Sequence, residues 1–176
     1  MLDTLALLRI GPDGWGDEIL SGAWLTLRLA LATLPVGIVA GFLLALLRNN
    51  RGRLVSAPAD AVATVFRGLP ELLTLFLVYY GGPALVQGLV RLVEPEYRAE
   101  FSPFLAGLAA LALVFAAFSS EVFLGALRAI SRGQIEGARA LGLSRWLTLR
   151  LVILPQLWRL ALPGLSNLWL ALLKDT

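Results

Sequence analysis

The feature that most constrains this chain is a set of four long apolar stretches separated by short charged segments. A helix needs about 20 mostly apolar residues to cross a bilayer, and the stretches at 19–47, 59–80, 104–127 and 149–173 are each at least that long. Leu and Ala dominate them, which favours helices over the alternating strands of a barrel. The sequence therefore predicts an all-α, polytopic membrane protein with four transmembrane helices.

Composition supports the membrane assignment and excludes several kinds of site. Hydrophobic residues make up 58% of the chain and charged residues 15%, which is more apolar side chain than a soluble domain of this size can bury. The chain has no Cys and no His, so we predict no metal site and no thiol or Ser-His-Asp catalysis. Its arginines lie between the apolar stretches instead of along one face, which argues against nucleic acid as a partner.

The charges in the connecting loops predict how the helices are oriented. The loops after the first and third stretches are rich in Arg, whereas the N-terminal segment and the loop after the second stretch are rich in Asp and Glu. By the positive-inside rule, the two Arg-rich loops face the cytoplasm and residues 1–18 are extracytoplasmic. The Arg-rich loops contain Arg48, Arg51 and Arg53 in the first case and Arg128, Arg132, Arg139, Arg145 and Arg150 in the second.

Two smaller features bear on how the helices pack. Residues 84–93, between Pro83 and Pro95, form a short amphipathic stretch in the outer loop, and we expect an interfacial helix there. Gly37 and Gly41 are spaced to let a neighbouring helix approach the first span closely. An incidental pair in a Gly-rich membrane chain is an equally good explanation of these glycines.

The loop between the third and fourth stretches has the pattern of a helix. Ser131 followed three residues later by Gln134 is a capping box, which predicts a helix start. Glu136 is spaced to form ion pairs with Arg132 and with Arg139 along that helix. The sequence therefore predicts a short helix lying outside the membrane-spanning stretches.

The end of this short helix is also marked in the sequence. Gly142 suits the left-handed position that follows a helix, and Ser144 can cap a second helix that continues into the fourth stretch. Small side chains on one face would let the backbone of a partner protein come close. An ordinary capped helix on the membrane surface is the alternative. The residues of this face are Gly137, Ala138, Ala140 and Leu141.

Residues 136–142, Glu-Gly-Ala-Arg-Ala-Leu-Gly, followed by 153–155, Ile-Leu-Pro, resemble the "EAA…G…I-LP" signature of permease subunits of ABC importers. Gly137 stands where that signature has Ala. Further blocks are similar to the polar-amino-acid and opine subfamily, and the similarity covers about residues 20–176. These blocks lie at 66–73, 120–123, 133–134, 155–156 and 173–176.

The resemblance implies the fold and location of the chain. Residues 19–176 would form four of the five helices of a type I ABC-importer transmembrane core in a bacterial inner membrane, with a cytoplasmic coupling loop at about 128–150. Members of the family continue past the block at 173–176 into a fifth span. We therefore expect this chain to lack the last transmembrane helix.

The resemblance also implies partners: ABC ATPase subunits, a second permease subunit, an extracytoplasmic substrate-binding protein and the lipid bilayer. The chain has no phosphate-binding loop and Lys174 is its only lysine, so we expect it to bind no cofactor and the partner ATPase to hold ATP-Mg. The residues expected to couple to the ATPase are Arg132, Gln134, Glu136, Gly137, Ala138, Arg139, Ala140, Leu141, Gly142, Ser144 and Pro155.

Ionisable residues within the stretches are candidates for the substrate pathway, since each costs about 2.5–3.5 kcal/mol at a helix centre. Arg67 and Glu71 flank a Gly-Leu-Pro break and could meet the carboxylate and ammonium of an α-amino acid. The alternative is that they pair with each other, or that Arg67 reaches the cytoplasmic surface. Glu121 is the third candidate, for which a contact between packed helices or subunits is the stronger alternative.

Together these features predict a permease subunit, not an enzyme, that translocates polar amino acids or opines and is coupled to a separate ATPase through residues 131–144. One alternative is an ion-coupled carrier, which would require paired acidic residues deep in several spans. The other is a truncated permease fragment that holds partners together without transporting.

Overall fold

The computed structural model describes residues 10–11, 14–92 and 102–175, and every regular element in this part of the chain is helical. The predicted all-α class is thereby confirmed. The elements are α1 (Gly16–Arg48), α2 (Arg53–Gly68), α3 (Glu71–Arg91), α4 (Pro103–Ala129), α5 (Arg132–Ala140), α6 (Arg145–Thr148), a π-helix (Leu149–Ile153) and α7 (Leu154–Asp175).

Within the described residues, three helical segments are long and apolar enough to cross a membrane: Gly16–Arg48, Leu72–Arg91 and Pro103–Ala129. The first and third contain the stretches predicted at 19–47 and 104–127. The fourth predicted stretch corresponds to the π-helix and α7, which has 22 residues. The stretch at 149–173 is less apolar than the other three predicted stretches because Gln156, Arg159 and Asn167 interrupt it.

The second predicted stretch is where the structure differs from expectation. Residues 59–80 do not form one interrupted span, because Leu69 (ψ 145°) and Pro70 (ψ 132°) are extended and separate α2 from α3 as two helices. The expected interfacial helix over 84–93 is also wrong. Helix α3 continues through Pro83 to Arg91, since an apolar helix tolerates an internal proline at the cost of one backbone hydrogen bond.

Helix α4 is the centre of the bundle and contacts α1, α2, α3 and α7. Its contact with α1 depends on the two glycines singled out in the sequence. A Cβ atom at Gly37 would lie 2.7 Å from Cδ1 of Phe115, and one at Gly41 would lie 2.9 Å from the carbonyl oxygen of Ala116. The close approach predicted for these glycines is therefore confirmed, with α4 as the neighbouring helix.

The outer surfaces of α1 and α3 are apolar. Leu20 and Trp24 of α1 are each 60% exposed, and Leu72 and Phe76 of α3 are 70% and 58% exposed. Such a continuous apolar surface is unfavourable in water and is typical of contact with lipid or with another membrane helix. The bundle thus presents the expected surface of a membrane protein.

Candidate functional site

Helix α5 begins where the sequence predicts. Ser131 is its N-cap, with extended backbone (φ −65°, ψ 140°), and Arg132 is the first helical residue. The capping box itself is not formed, because the Gln134 N–H donates to the Ser131 carbonyl oxygen at 3.2 Å. In the described structure the Ser131 side chain makes no capping hydrogen bond. The helix start is confirmed, and the side-chain contact that suggested it is wrong.

The end of α5 is a Schellman turn. Gly142 has φ +80°, a left-handed conformation that favours glycine because a Cβ atom would be strained there. The Gly142 N–H donates to the Arg139 carbonyl oxygen at 2.9 Å, and the Leu143 N–H donates to that of Ala138 at 3.1 Å. These two bonds satisfy carbonyl groups that a helix end leaves free. The predicted role of Gly142 in ending the helix is confirmed.

Ser144 then starts the next helix, as expected, because its Oγ accepts a hydrogen bond from the Leu147 N–H at 3.3 Å. Helix α6 leads into the π-helix at 149–153, and Pro155 lies in the first turn of α7. A proline ring clashes with the carbonyl group four residues earlier, here that of Leu151. The wider π-helical turn lies where this clash would occur, so the chain passes into α7 without a break.

Most of α5 is open to solvent. Ala138 is its one buried residue among those described, at 5% exposed. The exposed face predicted at Gly137, Ala138, Ala140 and Leu141 is therefore wrong at Ala138, since α5 packs against α6 and the π-helix. On the opposite side Gly133, Gly137 and Ala140 are exposed and share a face at three- and four-residue spacing. Leu141, directly after the helix, is 84% exposed. We call these four residues the small-residue face. A partner backbone can approach it closely and cover Leu141.

The ion pairs expected along α5 are not formed. Glu136 makes no ion pair with Arg132 or Arg139 within the part of the chain that the structure describes, where the three ion pairs all lie elsewhere. All three side chains are exposed, and an exposed pair gains too little to fix two long side chains in one geometry.

The ion pairs lie instead in a group of five side chains, which we call the polar cluster: Arg48, Asp60, Arg67, Ser120 and Glu121. Arg48, the last residue of α1, is at its centre and is 8% exposed. Its Nε donates to Asp60 Oδ1 at 2.8 Å, its Nη1 to Ser120 Oγ at 2.9 Å and its Nη2 to Glu121 Oε2 at 2.8 Å. One guanidinium thus joins α1 to α2 and α4.

Glu121 is shared between two arginines. Arg67 Nη1 donates to the same Glu121 Oε2 atom at 2.6 Å. Two guanidinium groups and two carboxylates therefore balance in charge, and burial of the cluster does not leave an isolated ion. The Arg67 Nε atom is buried and has no hydrogen-bond partner in the described structure, so one donor of the cluster is free.

The cluster shows which partner Arg67 has in the described structure. Arg67 contacts Glu121, so the structure brings together two of the three substrate-pathway candidates. The side chain of Glu71 lies outside the described part of the chain. Arg48 and Asp60 also belong to the cluster and were not among the candidates from the sequence, although both are ionisable residues at the ends of apolar stretches, and that position was a usable signal.

Comparisons with known proteins all identify permease components of transport systems. Residues 37–176 match the family model described as "Binding-protein-dependent transport system inner membrane component". The chain is 37% identical over 172 residues to the octopine transport system permease protein of Rhizobium meliloti, covering 98% of this chain and 73% of that protein. It is 43% identical over 156 residues to the arginine ABC transporter permease protein of Haemophilus influenzae, covering 89% and 67%.

A solved structure, described as the crystal structure of an amino acid ABC transporter with histidines, has the same arrangement of helices. It superposes with a TM-score of 0.71 at 29% sequence identity, covering 92% of this chain and 70% of that chain. The family match at residues 37–176 covers α5 and the turn at Gly142.

Proposed function

Since the chain belongs to the family of binding-protein-dependent transport system inner membrane components, we propose that it is the permease subunit of an ATP-driven importer for polar amino acids or opines. The observation that carries this proposal is the family match over residues 37–176. The substrate class is supported by the names of similar proteins, which include octopine and arginine permeases. The permease itself performs no chemistry, and ATP-Mg is held by a partner ATPase.

We propose that α5 and its Schellman turn are the docking element for that ATPase, within a coupling loop at about 128–150. The support is physical. The helix is short, ends in a Schellman turn and exposes its small-residue face to solvent. A groove on the partner could receive this face without displacing any packed side chain. The coupling residues proposed from the sequence lie on α5, in the turn that ends it, at the N-cap of α6 or at Pro155.

The remaining partners follow from the same proposal. A second permease subunit would pack against the exposed apolar surfaces of the bundle, and a substrate-binding protein would deliver the cargo from outside. The Arg-rich loops would face the cytoplasm and the N-terminal segment the exterior. Closure of the ATPase pair would then move α5, and with it the helices on either side, as rigid bodies.

We further propose that Arg67, Glu71 and Glu121 lie along the substrate pathway. Arg67 and Glu121 support this because their side chains are 30% and 47% exposed, so neither charge is sealed inside the bundle. Arg67 lies in the last turn of α2, directly before the extended residues Leu69 and Pro70, and an interrupted helix beside ionisable side chains is a common feature of substrate sites in transporters. A carboxylate at this point suits the cationic part of a substrate such as arginine.

Co-purification tests the docking element. Gly142→Val places a branched side chain at φ +80° and should abolish co-purification of the ATPase, because the Schellman turn cannot form. Gly125→Val is the matched control, since a Cβ atom at Gly125 meets nothing within 4 Å and its φ is not positive. Leu141→Ser, at a side chain that is 84% exposed, should weaken the complex without affecting the fold. Retention of the ATPase by both the Gly142 and Leu141 variants would contradict the proposal.

Transport kinetics in proteoliposomes that contain the assembled importer test the substrate pathway. Glu121→Gln should raise the KM for arginine about tenfold, which corresponds to roughly 1.4 kcal/mol of lost binding. Asp60→Asn is the matched control, because it also neutralises a carboxylate partner of Arg48. An equal effect of the two substitutions would show that Glu121 acts only in packing.

A further inference from the structure

A cleft of about 520 Å³ lies where the α1–α2 loop, the end of α4 and one face of α5 meet. This volume is within the range of about 300–1,000 Å³ that is typical of small-molecule sites. Four arginines and one acid line it: Arg51, Arg128, Arg132, Arg139 and Glu136. We call it the arginine cleft.

The arginines of this cleft form no ion pair within the described residues. In residues 14–92 and 102–175, none of the four makes an ion pair, whereas Arg48 and Arg67 of the polar cluster each contact a carboxylate. Glu136 is the one acid facing them and pairs with none of them. Guanidinium groups gathered around a concave surface repel one another and concentrate a positive potential there. The arrangement favours an anion that bridges several arginines.

The cleft lies against a different face of α5 from the small-residue face, and three of the proposed coupling residues, Arg132, Glu136 and Arg139, line it. Residues 132, 135, 136 and 139 recur at three- and four-residue spacing and face the cleft. Gly133, Gly137 and Ala140 lie on the far side of the helix, in the small-residue face. A ligand in the cleft and a protein on the small-residue face can therefore be bound at the same time.

The position and walls of the cleft indicate the kind of anion. Helices α1 and α4 end at Arg48 and Ala129, and the lining residues directly follow these ends, at the level where lipid headgroups lie. Leu127, Ile130 and Ile135 form apolar parts of the wall. An anion that fits has a charged group for the arginines and an apolar part for these side chains. A phosphate group is well matched, because guanidinium binds it with two parallel hydrogen bonds.

We propose that the arginine cleft binds the phosphate group of an acidic phospholipid. The headgroup phosphate lies among the four arginines, and the glycerol and first acyl carbons lie against Leu127 and Ile130. Basic pockets between transmembrane helices are suited to such headgroups. The lipid would hold the α1–α2 loop and the start of α5 to the end of α4, next to the docking element.

The test uses the full chain, reconstituted in nanodiscs of phosphatidylglycerol and phosphatidylcholine, with native mass spectrometry of the lipid retained. The double variant Arg51→Gln with Arg128→Gln removes two cleft arginines that lie outside the proposed coupling residues. Arg145→Gln with Arg150→Gln is the matched control, because it removes the same charge from exposed arginines that do not line the cleft. Circular dichroism verifies that both variants keep their helices.

We expect wild type and control to retain phosphatidylglycerol with the same affinity, and the cleft variant to lose about thirtyfold. Equal losses in the two double variants would overturn the proposal, since net charge alone would then account for binding. Binding of inorganic phosphate in detergent that is as tight as phosphatidylglycerol binding would overturn the lipid as the source of the phosphate. Release of phosphatidylglycerol on addition of the ATPase would show that the cleft is a protein contact instead.

Discussion

Arg48 shows how much of this structure depends on a single side chain. It ends an apolar helix of 33 residues, and its guanidinium donates to three side chains on two other helices. A lysine could not reproduce this arrangement, since it lacks the planar fork that points donors in several directions. The position fixes where α2 and α4 cross the end of α1.

Arg48→Leu should lower the free energy of unfolding by roughly 2 kcal/mol, because it removes the donor to Asp60 and Ser120 and leaves Glu121 with Arg67 alone. The expected loss of stability is no larger because the side chains of Asp60 and Glu121 are 50% and 47% exposed, and solvent weakens their ion pairs with Arg48. Thermal unfolding in detergent measures the change. Arg53→Leu is the control, and an equal loss there would show that the contacts of Arg48 contribute nothing specific.

At this scale the sequence predicted the residues whose role is local. Ser131, Gly142 and Ser144 were recognisable because capping is decided within a few residues of the chain. The contact of Arg48 with Glu121 joins residues 73 positions apart, and no local pattern contains it. Arg67 and Glu121 could be identified as candidates because they lie inside apolar stretches. Arg48 could not be identified, because its role depends on a contact between distant residues.

Among the elements, the contact between α1 and α4 is the most tightly defined. Gly37 and Gly41 place the two backbones so close that added side-chain atoms would meet Phe115 and Ala116. The same close approach lets Ser119 Oγ donate to the Gly37 carbonyl oxygen at 3.4 Å. Packing here depends on small residues, as is usual where lipid supplies no hydrophobic driving force.

Gly41→Ala should therefore destabilise the bundle by about 1–3 kcal/mol, the usual cost of overpacking. A Cβ atom at this position would also contact Ser119 Oγ. Gly22→Ala, on the same helix, should be neutral or slightly stabilising, since nothing lies within 4 Å of a Cβ atom there. Thermal unfolding of the two variants gives the comparison, and similar midpoints would contradict the close-packing interpretation.

Helix α3 shows why element boundaries were harder to predict than element type. Apolar composition identified a membrane helix, and the break at Gly-Leu-Pro was expected, but the pattern did not show that the helix would continue through Pro83. Pro70 stands between α2 and α3, directly after the extended residue Leu69, whereas Pro83 lies inside α3 with helix on both sides. Which proline interrupts a helix depends on packing that a linear pattern does not contain.

For the whole molecule, the distribution of charge along the sequence predicts the orientation in the membrane. The positive-inside rule places the Arg-rich loops in the cytoplasm. The absence of Cys from the sequence makes this measurable, because a single introduced thiol is the only one present.

Asp17→Cys should react with a membrane-impermeant maleimide added to intact cells, since the rule places the start of α1 outside. Arg150→Cys should react only after the cells are opened, because it belongs to the Arg-rich loop that contains α5. Both side chains are exposed. The opposite labelling pattern would reverse the orientation and remove the ATPase docking proposal with it.

The short joint between α4 and α5 has a mechanical consequence. Only Ile130 and Ser131 separate the two helices, and two extended residues span at most about 7 Å. Any larger displacement of α5 must therefore pull on α4, the helix against which α1, α2, α3 and α7 all rest. This two-residue linker can lengthen very little, so a force applied at the turn after α5 is transmitted to every helix of the bundle.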